Sequence, residues 1–213
     1  MSGQPECSFD RSDIRWEQGD LGFRYSLAYG VSADGSVVVG RADNASGYYR
    51  PFRWTQAEGM QDLGTLGGSQ SAAYDVSADG NVIVGQAEND GYQWRPFRWT
   101  PAGGVEDLNQ TYASLLTGGS ELWEAHAISP DGRYIVGFGY NAATDRDEAF
   151  LLDTWRTGDT NGDGCIDDAD LLAVLFAFGT PGSGLTCHED INKDGVVDDA
   201  DLLTVLFNFG SGC

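Results

Sequence analysis

The chain repeats itself at an offset of 45 residues, and that period limits its fold more than any single motif does. Ala28-Tyr29-Gly30-Val31-Ser32-Ala33-Asp34-Gly35 returns as Ala73-Tyr74-Asp75-Val76-Ser77-Ala78-Asp79-Gly80. Arg50-Pro51-Phe52-Arg53-Trp54-Thr55 returns as Arg95-Pro96-Phe97-Arg98-Trp99-Thr100. A looser third copy runs through His126-Ala127-Ile128-Ser129-Pro130-Asp131-Gly132 and then Ala149-Phe150-Leu151. A remnant near the start, Ile14-Arg15-Trp16 and Asp20-Leu21-Gly22, matches the second half of a repeat, Phe52-Arg53-Trp54 and Asp62-Leu63-Gly64. A fixed period of this length means one supersecondary unit per repeat, stacked on its neighbours because it cannot bury its apolar face alone.

Each unit reads as β structure. Val31 and Val37-Val38-Val39 flank a Ser-Ala-Asp-Gly turn, where Asp bonds the local backbone and Gly supplies a positive φ. Gly40 and Gly85 are read as the ends of second strands. The two-residue period of Phe52-Arg53-Trp54 puts Phe52 and Trp54 on one face and Arg53 on the other. Gly59-Met60-Gln61-Asp62-Leu63 supplies a fourth strand. Four short strands per period is the pattern of a propeller blade. The predicted fold is therefore mostly β, with propeller-like antiparallel four-stranded repeats. The count is about three and a half blades, against about four to eight in closed propellers. The array is open, shortened, or completed by another subunit. His126 occupies the repeat position of Tyr29 and Tyr74 and is read as a packing residue.

The repeat resembles the HAF family of extracellular repeats. That pattern runs through Val-Ser-Ala-Asp-Gly, a Val-rich strand, Phe-Arg-Trp and the stretch Asp62-Leu63-Gly64-Thr65-Leu66-Gly67-Gly68. The resemblance covers roughly residues 14–153. It implies an extracellular location and a propeller-like stack of sheets, and no established activity.

A second duplication lies at the C-terminal end, at an offset of 31 residues. Asp159, Asn161 and Asp163 stand at positions one, three and five of a loop with Gly164 at six; Asp190, Asn192 and Asp194 do the same ahead of Gly195. Position nine is Asp167 or Asp198, and position twelve is Asp170 or Asp201. Cys165 and Val196 stand at position seven, which contributes a backbone carbonyl. Calcium takes six to eight hard oxygens at flexible distances, and this spacing wraps a short loop around one ion. The expected cofactor is two Ca2+ ions, with module folding coupled to their binding. Position twelve is Asp where common EF-hands carry Glu.

After each loop an apolar series at helical spacing follows: Leu171, Leu172, Leu175 and Phe178, then Leu202, Leu203, Leu206 and Phe209. Gly179 and Gly210 stop the two helices. An entering helix is missing from each half. A duplicated loop with only the exiting helix resembles the dockerin family (type I-like) over residues 159–213. The resemblance implies halves related by an approximate two-fold axis and a cohesin-like protein partner. Positions ten and eleven, which help set partner choice in that family, are Asp168-Ala169 and Asp199-Ala200 here, identical in both halves. They differ from the Ser-Thr pair of the best-known cellulosomal type. The implied two-fold brings the end of the second helix near the first loop, which would pair Cys165 with Cys213. Cys187 could pair with Cys7 only if the two domains pack together.

Composition excludes several classes. The chain has 33 acidic and 12 basic side chains and a net charge of −21, so it carries no basic nucleic-acid footprint. No apolar run is long enough to span a membrane. No signal peptide is visible after Met1, since residues 2–13 are polar. The four cysteines include no CxxC pair, which argues for disulfides outside the cytosol rather than zinc. No nucleophile elbow, phosphate loop or HExxH occurs, and the clustered carboxylates are accounted for as calcium ligands, so no enzyme is expected.

The expected organisation is a HAF-like repeat domain over residues 1–153, a linker at 154–158 and a calcium module over 159–213. The expected function is non-catalytic attachment at the cell surface or to an extracellular scaffold. Two alternatives stand beside it. One is a structural subunit that self-associates into an oligomer or filament through its open repeat array. The other is a glycan-binding protein using Tyr48, Tyr49, Tyr92 and Trp94, aromatics on the loops before Arg-Pro-Phe.

Overall fold

The computed structural model describes residues 25–161, 165–182, 188–192 and 194–211. The expected remnant at Ile14–Gly22 lies outside these residues. The chain is mostly β and forms three antiparallel sheets in succession. The first contains β1 (Ser26–Val31), β2 (Val37–Asp43), β3 (Tyr49–Thr55) and β4 (Gly59–Asp62). The second contains β5 (Gly67–Val76), β6 (Ile83–Asn89), β7 (Trp94–Thr100) and β8 (Gly104–Asp107). The third contains β9 (Glu121–Ile128), β10 (Tyr134–Asn141) and β11 (Arg146–Asp153). Within each sheet every strand pairs with its neighbour in sequence. The two full repeats form four strands each, and the looser third copy forms three.

The first hairpin of every sheet turns on the same hydrogen bonds. Ser32 donates its hydroxyl to Asp34 Oδ1 at 2.7 Å and accepts from Val37 N–H at 3.0 Å. Asp34 Oδ1 also accepts from Ser36 N–H at 2.9 Å, and Gly35 takes φ +74°. Ser77 with Asp79, and Ser129 with Asp131, repeat the arrangement. These bonds hold the Asp34 carboxyl down at about 2, chiefly through the Ser36 N–H and the Ser32 hydroxyl. The turns are also joined to one another. Ala33 N–H bonds Ala78 O at 3.0 Å, and Ala78 N–H bonds Pro130 O at 2.8 Å.

Gly40 and Gly85 lie inside β2 and β6 rather than at their ends, contrary to the sequence reading. The reason is a close backbone approach. A Cβ on Gly40 would lie 1.9 Å from Leu27 O, and one on Gly85 would lie 2.0 Å from Ala72 O. Register shifts at Ala28/Gly30 and Ala73/Asp75 bring the first strand in at these points.

Alternation then builds the core. Val37, Val39, Ala73, Val76, Ile83, Ala87 and Phe97 fill the space between the first and second sheets. Val84, Leu108, Leu122, Ala125, Ile128, Ile135 and Leu152 fill the space between the second and third. Burying each large aliphatic or aromatic side chain contributes about 1.5–3 kcal/mol before entropy is counted. Phe52 is buried, while Arg53 on the other face pairs with Glu58 at 3.1 Å, as the two-residue period predicts.

Strands β1, β5 and β9 lie side by side, and their equivalent rings form a ladder. Tyr29 meets Tyr74 edge-on at 5.8 Å, Tyr74 stacks on His126 at 5.7 Å, and His126 stacks on Phe138 at 5.8 Å. Burial pushes the Tyr74 hydroxyl up to about 12. His126 is thus a packing residue that also pairs with Glu124 at 3.3 Å.

A one-turn helix, α1 (Leu108–Thr111), follows β8, and the C-terminal module contains two ten-residue helices, α2 (Asp168–Ala177) and α3 (Asp199–Asn208). Ile166, Val174, Val197 and Val205 form its small core, with Leu171 and Leu202 against it. Leu172, Leu175, Phe178, Leu203, Leu206 and Phe209 are all exposed, so only part of the predicted apolar series faces inward. Each helix is apolar nearly all round, and a pair of them can cover only one stripe of each.

Candidate functional site

The two halves of the module repeat one another bond for bond. Gly179 N–H bonds Val197 O at 2.8 Å, and Gly210 N–H bonds Ile166 O at 2.8 Å. Val197 N–H bonds Thr180 O at 3.1 Å, and Ile166 N–H bonds Ser211 O at 3.0 Å. Every partner is displaced by the same 31 residues, so the end of each helix lies against the loop of the other half. The hydrogen bonds therefore match when the two halves are exchanged.

The aspartates at positions nine and twelve start the helices. Asp167 caps α2 by accepting from Ala169 N–H at 2.8 Å, and Asp198 caps α3 by accepting from Ala200 N–H at 2.9 Å. Asp170 and Asp201 complete a capping box in each case, through Oδ2 to the N–H of Asp167 at 2.9 Å and of Asp198 at 3.0 Å. Their other oxygens reach back to the loop. Asp170 Oδ1 accepts from Thr160 N–H at 2.6 Å, and Asp201 Oδ1 accepts from Ile191 N–H at 2.7 Å and Asn192 N–H at 3.0 Å. The sequence reading missed this helix-starting role, although Asp-x-x-Asp before an apolar run carries the signal. It also missed buried Thr160, whose hydroxyl donates to Asp170 Oδ1 at 3.1 Å.

The loop aspartates are buried to an unusual degree. Asp170 and Asp201 are fully buried, Asp159 is 3 % exposed and Asp190 is 6 % exposed. A buried carboxylate is tolerated only when strongly hydrogen-bonded or matched by a cation. Asp190 accepts from Asp194 N–H at 3.2 Å and Gly195 N–H at 3.0 Å. Asn192 Oδ1 accepts from Asp194 N–H at 2.9 Å, and Asp194 Oδ1 from Val196 N–H at 3.0 Å. For Asp170, Asp190 and Asp201 these partners are N–H and O–H groups, not Arg or Lys.

By donor chemistry the residues fit a hard divalent cation, since every side-chain donor is a carboxylate or amide oxygen. Asp163 lies outside the described residues. Among the described residues no group of three or more His, Cys, Asp or Glu converges on a metal position; in this arrangement loop two directs its oxygens onto backbone N–H groups. Of the cysteines, only Cys165 is described, and it is not a free thiol. Cys7, Cys187 and Cys213 lie outside the described residues.

Tyr48, Tyr92 and Trp94 are exposed, but Tyr49 lies under the Arg41 guanidinium at 4.2 Å. His188 stacks on Trp155 at 4.3 Å, and Arg133 covers the Trp155 ring at 4.6 Å, linking the module to the third sheet.

No family model matches the chain, and no curated protein matches it. Among solved structures it is similar to a putative TolB from Agrobacterium tumefaciens, at 20% identity and a TM-score of 0.43, over 61% of this chain and 46% of that one. It is also similar to TolB from Acinetobacter baumannii, at 20% identity and a TM-score of 0.44, over 61% of this chain and 29% of that one. The chain spans less than half the length of either.

Proposed function

We propose that this is a secreted, non-catalytic protein of two parts, in which a calcium-stabilised C-terminal module attaches an incomplete propeller of HAF-like repeats to an extracellular protein partner. The observation that carries this reading is the matched pair of halves. Each joins a loop of buried aspartates to a helix with an uncovered apolar face. Phe176 is 85 % exposed and Phe207 is 84 % exposed, at equivalent positions of α2 and α3. Two such faces on a chain of net charge −21 suit a partner that covers apolar surface, of the cohesin-like or surface-receptor kind. Loop one would hold one ion through Asp159, Asn161, Asp163, Asp167, Asp170 and the Cys165 carbonyl. Loop two would hold the other through Asp190, Asn192, Asp194, Asp198, Asp201 and the Val196 carbonyl. The ions would neutralise carboxylates that otherwise repel at close range.

Calorimetric titration of chelator-stripped protein with Ca2+ tests the metal step. The expected result is two bound ions, one lost in Asp159→Ala and one in Asp190→Ala. No heat and no change in helical signal would overturn it. A panel of cohesin modules and envelope receptor domains tests the attachment step. Binding should need calcium and be lost in Phe176→Ala/Phe207→Ala; binding that ignores both would sink it.

A further inference from the structure

The array departs from its own period between the second and third sheets. Ser32 and Ser77 stand 45 residues apart, whereas Ser77 and Ser129 stand 52 apart. Residues 63–66 join β4 to β5, but residues 108–120 join β8 to β9. Connections this long are uncommon in a compact repeat, and insertions into one repeat tend to fall on a binding face. The insertion opens with α1 and is anchored to β9. Asn109 donates its side-chain amide to Leu122 O at 2.8 Å and accepts from Leu122 N–H at 2.8 Å.

The same place breaks an ion pair that the first sheet keeps. Arg50 of β3 bonds Asp62 of β4 at 2.9 Å. Their counterparts 45 residues on are Arg95 and Asp107. Arg95 turns instead to Glu121 of β9, at 3.0 Å, and to Gln93, at 2.9 Å. Asp107 is thereby released, although it stays buried. Its Oδ1 accepts from Asn109 N–H at 2.8 Å, and among the described residues its Oδ2 has no protein partner. A buried carboxylate oxygen in that position calls for a donor.

Arg95, Asp107 and Glu121 line a cavity of about 340 Å³, with Gln110, Ala113 and Leu116 of the insertion on its wall. That size falls within the range of small-ligand sites, about 300–1,000 Å³. Two carboxylates stand against one guanidinium, so an anion is disfavoured. One oxygen of Glu121 is taken by Arg95, which leaves the other as an acceptor beside Asp107 Oδ2. Gln110 is exposed and its amide can both donate and accept. Ala113 and Leu116 add apolar carbon. We infer that this cavity binds a neutral sugar. Its hydroxyls donate to Asp107 and Glu121 and bond the Gln110 amide, while a C–H face lies against Ala113 and Leu116. The site belongs to the repeat domain and does not depend on the calcium loops.

Ligand-observed NMR and calorimetry on the full chain, with calcium and with chelator, test the inference. The probes are glucose, galactose, mannose, N-acetylglucosamine and their common disaccharides, with glucose 6-phosphate and putrescine as charged controls. At least one neutral sugar should bind, equally with and without calcium and more tightly than glucose 6-phosphate. Asp107→Asn keeps an oxygen to cap α1, and should weaken binding about tenfold or more because a charged acceptor becomes a neutral one. Gln110→Ala, at an exposed position, should weaken it too and provides the reading should Asp107→Asn fail to fold. No sugar bound at millimolar concentration overturns the inference, and so does wild-type-like binding by either folded variant. Putrescine bound in preference to every sugar marks a cation site and overturns it. Sugar binding lost on chelation would place the site in the C-terminal module and overturn the inference, while leaving the calcium reading standing.

Discussion

Asp201 accepts the Ile191 N–H at 2.7 Å while its second oxygen holds the Asp198 N–H at 3.0 Å, so one buried carboxylate ties the start of loop two to the start of α3. Asp201→Ala leaves those N–H groups inside the protein without partners, each costing about 1–3 kcal/mol. In a module with so small a core, that loss is expected to melt α3. Urea unfolding followed by helical circular dichroism reads it. Asp170→Ala should act alike on α2, because Asp170 makes the corresponding bonds. If either variant keeps both helices, the carboxylates are not the ties described.

The clasp between the halves leads to a covalent expectation. Ile166 and the Gly210–Ser211 segment exchange two backbone hydrogen bonds, at 3.0 and 2.8 Å, with Cys165 next in the chain on one side and Cys213 two residues on from Ser211 on the other. Peptide mapping without reductant should recover a Cys165–Cys213 link. Reduction should raise the calcium concentration needed to fold the module, because the cross-link removes freedom from the unfolded chain. A link from Cys165 to Cys7 or Cys187 would rule the pairing out.

Much of this architecture was legible in the sequence because it is periodic. The offset of 45 residues marked the sheets, and the alternation in Phe52-Arg53-Trp54 assigned their faces correctly. Gly40 and Gly85 were misread because glycine looks the same to a sequence reading whether it ends a strand or admits a passing carbonyl. Only the bulges in β1 and β5, set by tertiary contact, separate the two cases. In the module the loop spacing was plain, but the apolar series did not show which stripe turns inward. Val174 and Val205 fill the core while the larger Leu175 and Phe176 stay outside. Side-chain size argues for the reverse, and the helix pairing decides it.

Close approach makes Gly85 intolerant of any side chain. A Cβ there would lie 2.0 Å from Ala72 O and 2.9 Å from the Phe97 ring, both fixed parts of the core between the first two sheets. Gly85→Ala is expected to destabilise the repeat domain by about 3 kcal/mol, at the upper end of ordinary overpacking. Gly91→Ala serves as the control, since a Cβ there meets nothing closer than 3.4 Å. Thermal or urea unfolding of the repeat signal checks the pair. Equal midpoints would mean that β5 and β6 separate more easily than their register implies.

The turn aspartates make the repeat domain sensitive to acid in a defined window. The Asp34 carboxyl is held down from its usual 3.8 to about 2 by the Ser36 N–H and the Ser32 hydroxyl. Asp131 is lowered chiefly by the Ser129 hydroxyl. At Asp79 burial works upward, but the Ser77 hydroxyl and Asn81 bonds outweigh it, and the net shift is downward. A carboxyl with a depressed folded value favours the folded state above its unfolded value. That contribution is fully present above about pH 4 and fades as pH falls toward the folded value near 2. The ionised form is therefore the one that closes the hairpin. Asp34→Asn should lower stability at neutral pH and flatten its decline between about pH 4 and 2, with little difference from wild type below that range. Denaturant midpoints across this interval provide the check, and a slope unchanged by the substitution would mean that Asp34 titrates alike in the folded and unfolded chain.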